Sequence, residues 1–154
     1  MALKNLALKM ILTGDVNLMK VTDPKVPFAL IGDELRRADV VFSNLECCLV
    51  ETPAGHSLGN EGFFADPKVG GEALKLSGVH AVGIANNVHY GEANIKGTIA
   101  QLDALGIPHS GAGADLAAAS APVIIERGGV RFGFLQRSSV YWPTDHEAGA
   151  GRAP

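Results

Sequence analysis

Three short apolar runs in this 154-residue chain each end abruptly in polar residues, and this pattern constrains the fold more than any other feature. The runs cover residues 8–13, 40–43 and 81–85. Their polar ends are Gly14-Asp15, Asn44-Leu45-Glu46 and Asn86-Asn87-Val88-His89. Short apolar runs bounded in this way are typical of buried strands. We therefore predict three strands, the first over residues 6–13, whose carboxyl ends carry oxygen and nitrogen donors.

Helical patterns separate these runs. Phe28, Ile31 and Leu35 follow the i, i+3, i+7 spacing of a helix that would end near residue 38. Asp66-Pro67 is the signature of an N-cap followed by proline at the first helical position, and Gly78 would stop that helix. A third helix would carry apolar residues on one face and end at a glycine, and its markers are Ile95, Ile99, Leu102 and Gly106.

The last third of the chain adds an antiparallel element to this alternation. After a short strand at 107–110 and a turn of helix capped by Asp115, residues 123–127 and 130–135 flank Gly128-Gly129, the spacing of a two-residue hairpin. The fold class is therefore predicted as α/β, with βαβ units followed by an antiparallel hairpin. We expect one domain over residues 1–142, with 143–154 as a disordered tail or an artificial end.

Composition excludes several classes of protein. Hydrophobic residues make up 47% and charged residues 19%, which does not match a disordered chain. The net charge is −3 and the basic residues are scattered, so no nucleic-acid partner is expected. No signal peptide or membrane span is evident, which favours a cytoplasmic location. Cys47 and Cys48 are adjacent, a spacing that suits buried reduced thiols and not a zinc site.

The polar strand ends indicate a metal site. In open α/β sheets, ligands gather beyond the carboxyl ends of the strands. The donors expected there are Asp15, Asn44, Glu46, Asn86, Asn87 and His89. Carboxylate, amide and imidazole groups together suit Mg²⁺, Mn²⁺, Fe or Zn²⁺. Any one such residue more often caps a helix or makes a turn, so the prediction depends on their coincidence.

The order of the motifs resembles that of a known family. The motifs are Gly14-Asp15-Val16, Ala38-Asp39-Val40-Val41, Ser43-Asn44-Leu45-Glu46, Ala85-Asn86-Asn87, Tyr90-Gly91, Gly106-Ile107 and Gly111-Ala112-Gly113. In this order they resemble the bacterial capsule synthesis family CapA, over roughly residues 8–142. That family is associated with poly-γ-glutamate capsule formation, and its fold is similar to that of calcineurin-like metallophosphoesterases.

The resemblance implies a four-layer αββα sandwich with a divalent metal between its two sheets. Asp15, Glu46, Asn87 and a histidine would be the ligands. The family domain is longer and supplies further histidines from a later segment, so this chain would be the N-terminal half of such a sandwich. Half a sandwich would leave part of a sheet face exposed, and we expect self-association through that face.

The chain departs from the family pattern at Val88, where the family commonly has histidine, and His89 comes one position later. Either His89 takes over the missing role or the site lacks one ligand. Asn87 and His89 are the candidate catalytic residues, with His89 as an acid or base.

Two functions remain open. The first is a metal-dependent hydrolase domain of capsule biosynthesis, incomplete in this chain, that acts on a small-molecule or polymer substrate. The alternative is a non-catalytic capsule-assembly or ligand-binding module with a degenerate metal site.

Overall fold

A parallel sheet of four strands is the centre of the structure, a computed structural model that describes residues 7–56, 62–89, 91–140 and 149–151. The strands follow the order β1-β2-β3-β4, and a separate antiparallel pair forms the hairpin β5-β6. The strands are β1 Met10–Val16, β2 Val40–Leu45, β3 Ala81–Gly83, β4 His109–Ser110, β5 Val123–Arg127 and β6 Val130–Phe134. The helices are α1 Gly32–Arg36, α2 Pro67–Ser77, α3 Glu92–Leu105 and α4 Leu116–Ala119. The predicted α/β class, with βαβ units followed by a hairpin, is confirmed.

Local signals fixed the bounds of α2. The Asp66 side chain accepts hydrogen bonds from the backbone N–H groups of Lys68 and Val69, as an N-cap does. Pro67 occupies the first helical position, where its missing N–H has no cost. Gly78 ends the helix in the left-handed conformation, with φ of 79°.

The first helix is shorter than its spacing predicted. Only Gly32–Arg36 is helical, and in the tight turns before it the N–H of Ala29 donates to Val26 O and the N–H of Ile31 donates to Phe28 O. The helix therefore begins four residues later than Phe28, where the apolar spacing placed its start.

The first strand extends further toward its carboxyl end than predicted. Residues 7–9 are outside β1, and the strand continues through Asp15 to Val16. The register with β2 shifts between Leu12 and Asp15, which places Asp15 opposite Asn44. Local sequence predicted that the strand would end before Gly14-Asp15. Pairing with β2 instead keeps Asp15 in the sheet.

Different elements pack against the two faces of the sheet. On one face, side chains of α2 and α3 pack against β2 and β3, and Leu74, Leu102 and Val82 are fully buried there. On the other face, Val40 and Ala81 pack against the hairpin. The rings of Phe42 and Phe134 stack across this second contact, with centroids 4.5 Å apart and planes 5° from parallel. The hairpin thus lies face to face with the parallel sheet.

Several other predictions can be compared with the structure. Cys47 and Cys48 are both buried, as expected. Of the predicted tail, residues 143–148 and 152–154 lie outside the described residues, while the Gly149 carbonyl accepts a hydrogen bond from Leu116 N at 3.0 Å. Within the described ranges, none of the helices has the length and apolar character needed to cross a membrane.

Candidate functional site

The strand register brings the predicted polar residues to one edge of the sheet. Asp15 pairs with Asn44, and Asn44 pairs with Gly83 on the next strand. Because β1, β2 and β3 run parallel, the residues that follow them leave the sheet at this same edge. Three separate parts of the sequence therefore contribute to one surface.

Asp15 and Glu46 form a pair of carboxyl groups within hydrogen-bonding reach of each other. The backbone N–H of Glu46 donates to Val16 O at 2.9 Å, which holds Glu46 beside the end of β1. Partial burial raises the pKa of Glu46, and the negative charge and hydrogen bond of Asp15 raise it further. When Glu46 is protonated, its O–H can donate to the Asp15 carboxylate, so the pair can share a proton.

Asn44 connects Asp15 to two other amides. Its Nδ2 donates to Asp15 Oδ1 at 2.7 Å. Its Oδ1 accepts from Asn86 Nδ2 at 3.2 Å and from Gln136 Nε2 at 2.8 Å. Hydrogen bonds on both ends of the Asn44 amide hold one oxygen of Asp15 in place.

Asn86 organises the turn that follows β3. Its Oδ1 accepts from the backbone N–H groups of Val88 and His89, both at 3.1 Å. Its Nδ2 also donates to Leu45 O at 2.8 Å. This local turn is typical of an asparagine after a strand, and it determines where His89 lies.

His89 is a buried neutral base. Its side chain is 7% exposed, and its Nε2–H donates to Cys47 O at 2.7 Å. Burial lowers the pKa of His89 to about 4, although the bond to the Cys47 carbonyl acts in the opposite direction. Among the described residues, its Nδ1 has no hydrogen-bond partner. The ring therefore lies against the backbone after β2 and carries an unprotonated Nδ1.

Asn87 lies between Asn86 and His89 in the sequence, and it is half-buried. No hydrogen bond of its side chain is formed with the parts of the chain that the structure describes. The neighbouring Asn86, and not Asn87, is linked to Asp15 by hydrogen bonds, because its side chain donates to Asn44 and Asn44 donates to Asp15.

The donors at this edge fit a hard cation better than zinc. Over residues 7–56, 62–89, 91–140 and 149–151, no group of three or more His, Cys, Asp and Glu side chains could hold a metal. His89 therefore does not join Asp15 and Glu46 in a common ligand group. The two carboxyl groups alone suit Mg²⁺ or Mn²⁺, because these cations prefer oxygen ligands.

A cleft lies beside Asp15 at the end of β1. Its volume is about 300 Å³, and the turn segment before α1 forms its other wall. The lining residues are Thr13, Gly14, Asp15, Val16, Asn17, Leu18, Pro27, Phe28 and Ile31. Asp15 is exposed and is accessible from this cleft.

Sequence reasoning missed Gln136, which follows the hairpin. Its Oε1 accepts from Ala85 N at 2.8 Å, and its Nε2 donates to Asn44. A Cβ on Gly83 would lie 2.2 Å from Gln136 Oε1, so this approach requires a glycine. A glycine inside a buried strand often marks a place where another group comes close to the backbone, and Gly83 was the sequence feature that could have indicated this contact.

Residues 5–153 match the family described as bacterial capsule synthesis protein PGA_cap. This chain belongs to the bacterial capsule synthesis protein family. The match extends beyond the end predicted at residue 142.

Two relatives of this capsule synthesis chain come from Sinorhizobium fredii (strain NBRC 101917 / NGR234). They carry the names uncharacterized protein y4sH and uncharacterized protein y4uA, and each is 32% identical over 136 residues. Each alignment covers 82% of this chain and 29% of the relative. The chain therefore spans less than a third of the length of these relatives.

Proposed function

We propose that the carboxyl edge of the parallel sheet is part of the active site of a metal-dependent hydrolase that acts in capsule synthesis. The observation that carries this proposal is the Asp15–Glu46 pair, two carboxyl groups held together with a raised pKa at Glu46. Groups whose pKa is raised by burial and by a like charge are concentrated at functional sites. Membership of the capsule synthesis family supports the biological setting.

Asp15 and Glu46 would hold the divalent ion, and Asn87, next to Asn86 in the turn after β3, would supply an amide oxygen. A bound divalent ion would polarise the bond to be cleaved and make a water molecule more acidic. Asn44 orients Asp15 for this role. The 300 Å³ cleft would hold part of the substrate beside Asp15, a small molecule or a segment of capsule polymer such as poly-γ-glutamate.

His89 is unprotonated at neutral pH, since burial lowers its pKa to about 4, and the lone pair of its Nδ1 is the site that a proton would occupy during transfer. The bond from Nε2–H to Cys47 O fixes this tautomer, as hydrogen bonds to backbone carbonyls do for metal-binding and catalytic histidines. Its burial means that a substrate would reach it only after a rearrangement of the turn after β3. We therefore assign a proton-transfer role to His89 as the secondary part of the proposal.

A non-catalytic ligand-binding module is the second candidate. The observation that favours it is the small ligand group, because no three acidic, histidine or cysteine side chains converge among the described residues. Such a module would bind a cation weakly and would not hydrolyse a substrate.

Isothermal calorimetry with Mn²⁺ tests the metal site. We expect binding weaker than ~1 μM, because two carboxylates leave the ion largely hydrated. Glu46→Gln should weaken binding by ~10-fold or more. Binding should release protons and strengthen as pH rises, since the cation displaces the proton favoured by the raised pKa of Glu46. Two buffers of different ionisation enthalpy would count those protons.

Glu51→Gln is the matched control, because Glu51 is an exposed carboxylate on the loop that follows β2. It should leave the Mn²⁺ affinity unchanged. Equal losses in the two variants, or none at Glu46, would reject the site. Hydrolysis of a chromogenic phosphate ester in the presence of Mn²⁺ separates the two candidate functions. Turnover that is abolished by Asp15→Asn would identify a hydrolase. Binding of Mn²⁺ without turnover would identify a ligand-binding module.

A further inference from the structure

We propose that Gln136 is a positioning residue of this site, which acts through Asn44 to set the orientation of the Asp15 carboxylate. The inference rests on the proposed function only in the role given to Asp15. It assigns a task to the segment after the hairpin, which lies far from Asp15 in the sequence.

The backbone at the end of β3 fixes the orientation of the Gln136 amide. The partner of Oε1 is the N–H of Ala85, which can only donate. Gln136 must therefore present its oxygen to Ala85 and its Nε2 to Asn44, where the N···O distance is 2.8 Å.

The orientation of Asn86 is fixed in the same way. Its Oδ1 lies between two backbone N–H groups, those of Val88 and His89. Its Nδ2 is therefore the end that faces Asn44 Oδ1, at 3.2 Å.

Two donors thus converge on Asn44 Oδ1, and both are oriented by backbone groups. Rotating the Asn44 amide by half a turn would place its NH₂ group against two other NH₂ groups. Asn44 must therefore present Nδ2 to Asp15, where it donates to Oδ1 at 2.7 Å. This bond holds one oxygen of Asp15 in place.

The packing around Gln136 supports the same task. Gln136 comes two residues after Phe134, whose ring stacks on Phe42 and joins the hairpin to β2. Gly83 provides the space, because any Cβ there would collide with the Gln136 amide. The position of the hairpin thus places the Gln136 amide at the carboxyl edge of the sheet, over Gly83, which has no side chain.

A double-mutant cycle on Mn²⁺ affinity tests this role. Gln136→Met keeps the length of the side chain and removes both hydrogen bonds, and we expect ~10-fold weaker binding, as for other residues that orient metal ligands. In an Asn44→Ala background, Gln136→Met should cause no further loss, because its effect passes through Asn44. An additive loss would overturn the proposal and leave Gln136 with a structural role only.

NMR of the Asn44 side-chain amide gives a second measurement that needs no metal. In the native chain its NH₂ protons should exchange slowly, and Gln136→Met should speed that exchange by ~10-fold or more. Gln136→Glu should do the same while the Ala85 amide stays protected, since a carboxylate can accept from Ala85 but cannot donate to Asn44. Unchanged Asn44 exchange in both variants would reject the proposal, even if the chain binds no Mn²⁺.

Gln101→Met is the matched control for loss of a half-buried glutamine. Gln101 Nε2 donates to Pro67 O at 2.9 Å in the contact between α3 and α2. Its replacement should lower stability and leave both Asn44 exchange and Mn²⁺ affinity as in the native chain. Faster exchange of the Asn44 amide in Gln101→Met would mean that a general loss of stability, and not positioning of Asn44, explains the effect of replacing Gln136.

Discussion

At the scale of the residue, His89 makes the stability of the fold depend on pH. Its pKa is about 4 in the folded chain and near 6.5 when unfolded, so between these values only the unfolded state takes up the proton. Stability should therefore decrease as pH falls from 6.5 to 4, by about 3 kcal/mol from this group alone. Urea unfolding at a series of pH values measures the effect.

His89→Gln isolates the contribution of the imidazole, because glutamine can still donate to the Cys47 carbonyl but does not titrate. The carboxyl groups contribute equally to both proteins, so the difference between the two curves belongs to His89. A difference that does not vary over pH 4–6.5 would contradict the buried, neutral state of this side chain.

At the scale of the element, the cap of α2 shows how local chemistry stabilises a helix. The Asp66 carboxylate satisfies two N–H groups of the first turn, those of Lys68 and Val69, at 2.9 and 2.8 Å. Asp66→Ala should reduce the free energy of unfolding by about 1 kcal/mol, since those N–H groups lose their partner. Chemical denaturation at neutral pH measures the loss.

Asp66→Ser is the control for this cap, because a serine hydroxyl can accept the same bonds without the charge. It should retain most of the stability. An equal loss in the two variants would mean that the negative charge near the helix start, and not the hydrogen bonding, provides the stabilisation.

At the scale of the whole molecule, the hairpin leaves part of the parallel sheet uncovered. Met10 and Leu12 pair in register with Val40 and Phe42, so their side chains point to the face on which the hairpin packs. They are nevertheless 45% and 61% exposed. We expect the chain to self-associate through this apolar surface, with a sedimentation coefficient that increases with concentration.

Leu12→Lys should reduce this association, because it places a charge in the centre of the surface. Leu30→Lys is the control, since Leu30 is 99% exposed but lies in the turn segment before α1. A monomer at every concentration, or equal effects of the two substitutions, would argue against association through β1.

Local sequence was a reliable guide where neighbouring residues decide the conformation. The caps of α2, the glycine that ends α3 and the Gly128-Gly129 turn were all predicted, since each depends on backbone geometry within a few residues. The first helix begins later than predicted because the residues before Gly32 form tight turns, and apolar spacing does not distinguish such turns from a helix. The predicted end of β1 was wrong because pairing with β2 outweighed the turn preference of Gly14-Asp15.

The sequence by itself determined the α/β alternation and the polar residues at the strand ends, because apolar periodicity and turn chemistry are local properties. It also placed Asp15 and Glu46 at the carboxyl ends of adjacent parallel strands. Only the tertiary structure decided which amide reaches Asp15, that His89 faces the Cys47 carbonyl, and that Gln136 completes the network. Those contacts join residues 29 to 92 positions apart, and they depend on strand register and on packing of the hairpin, which no local pattern encodes.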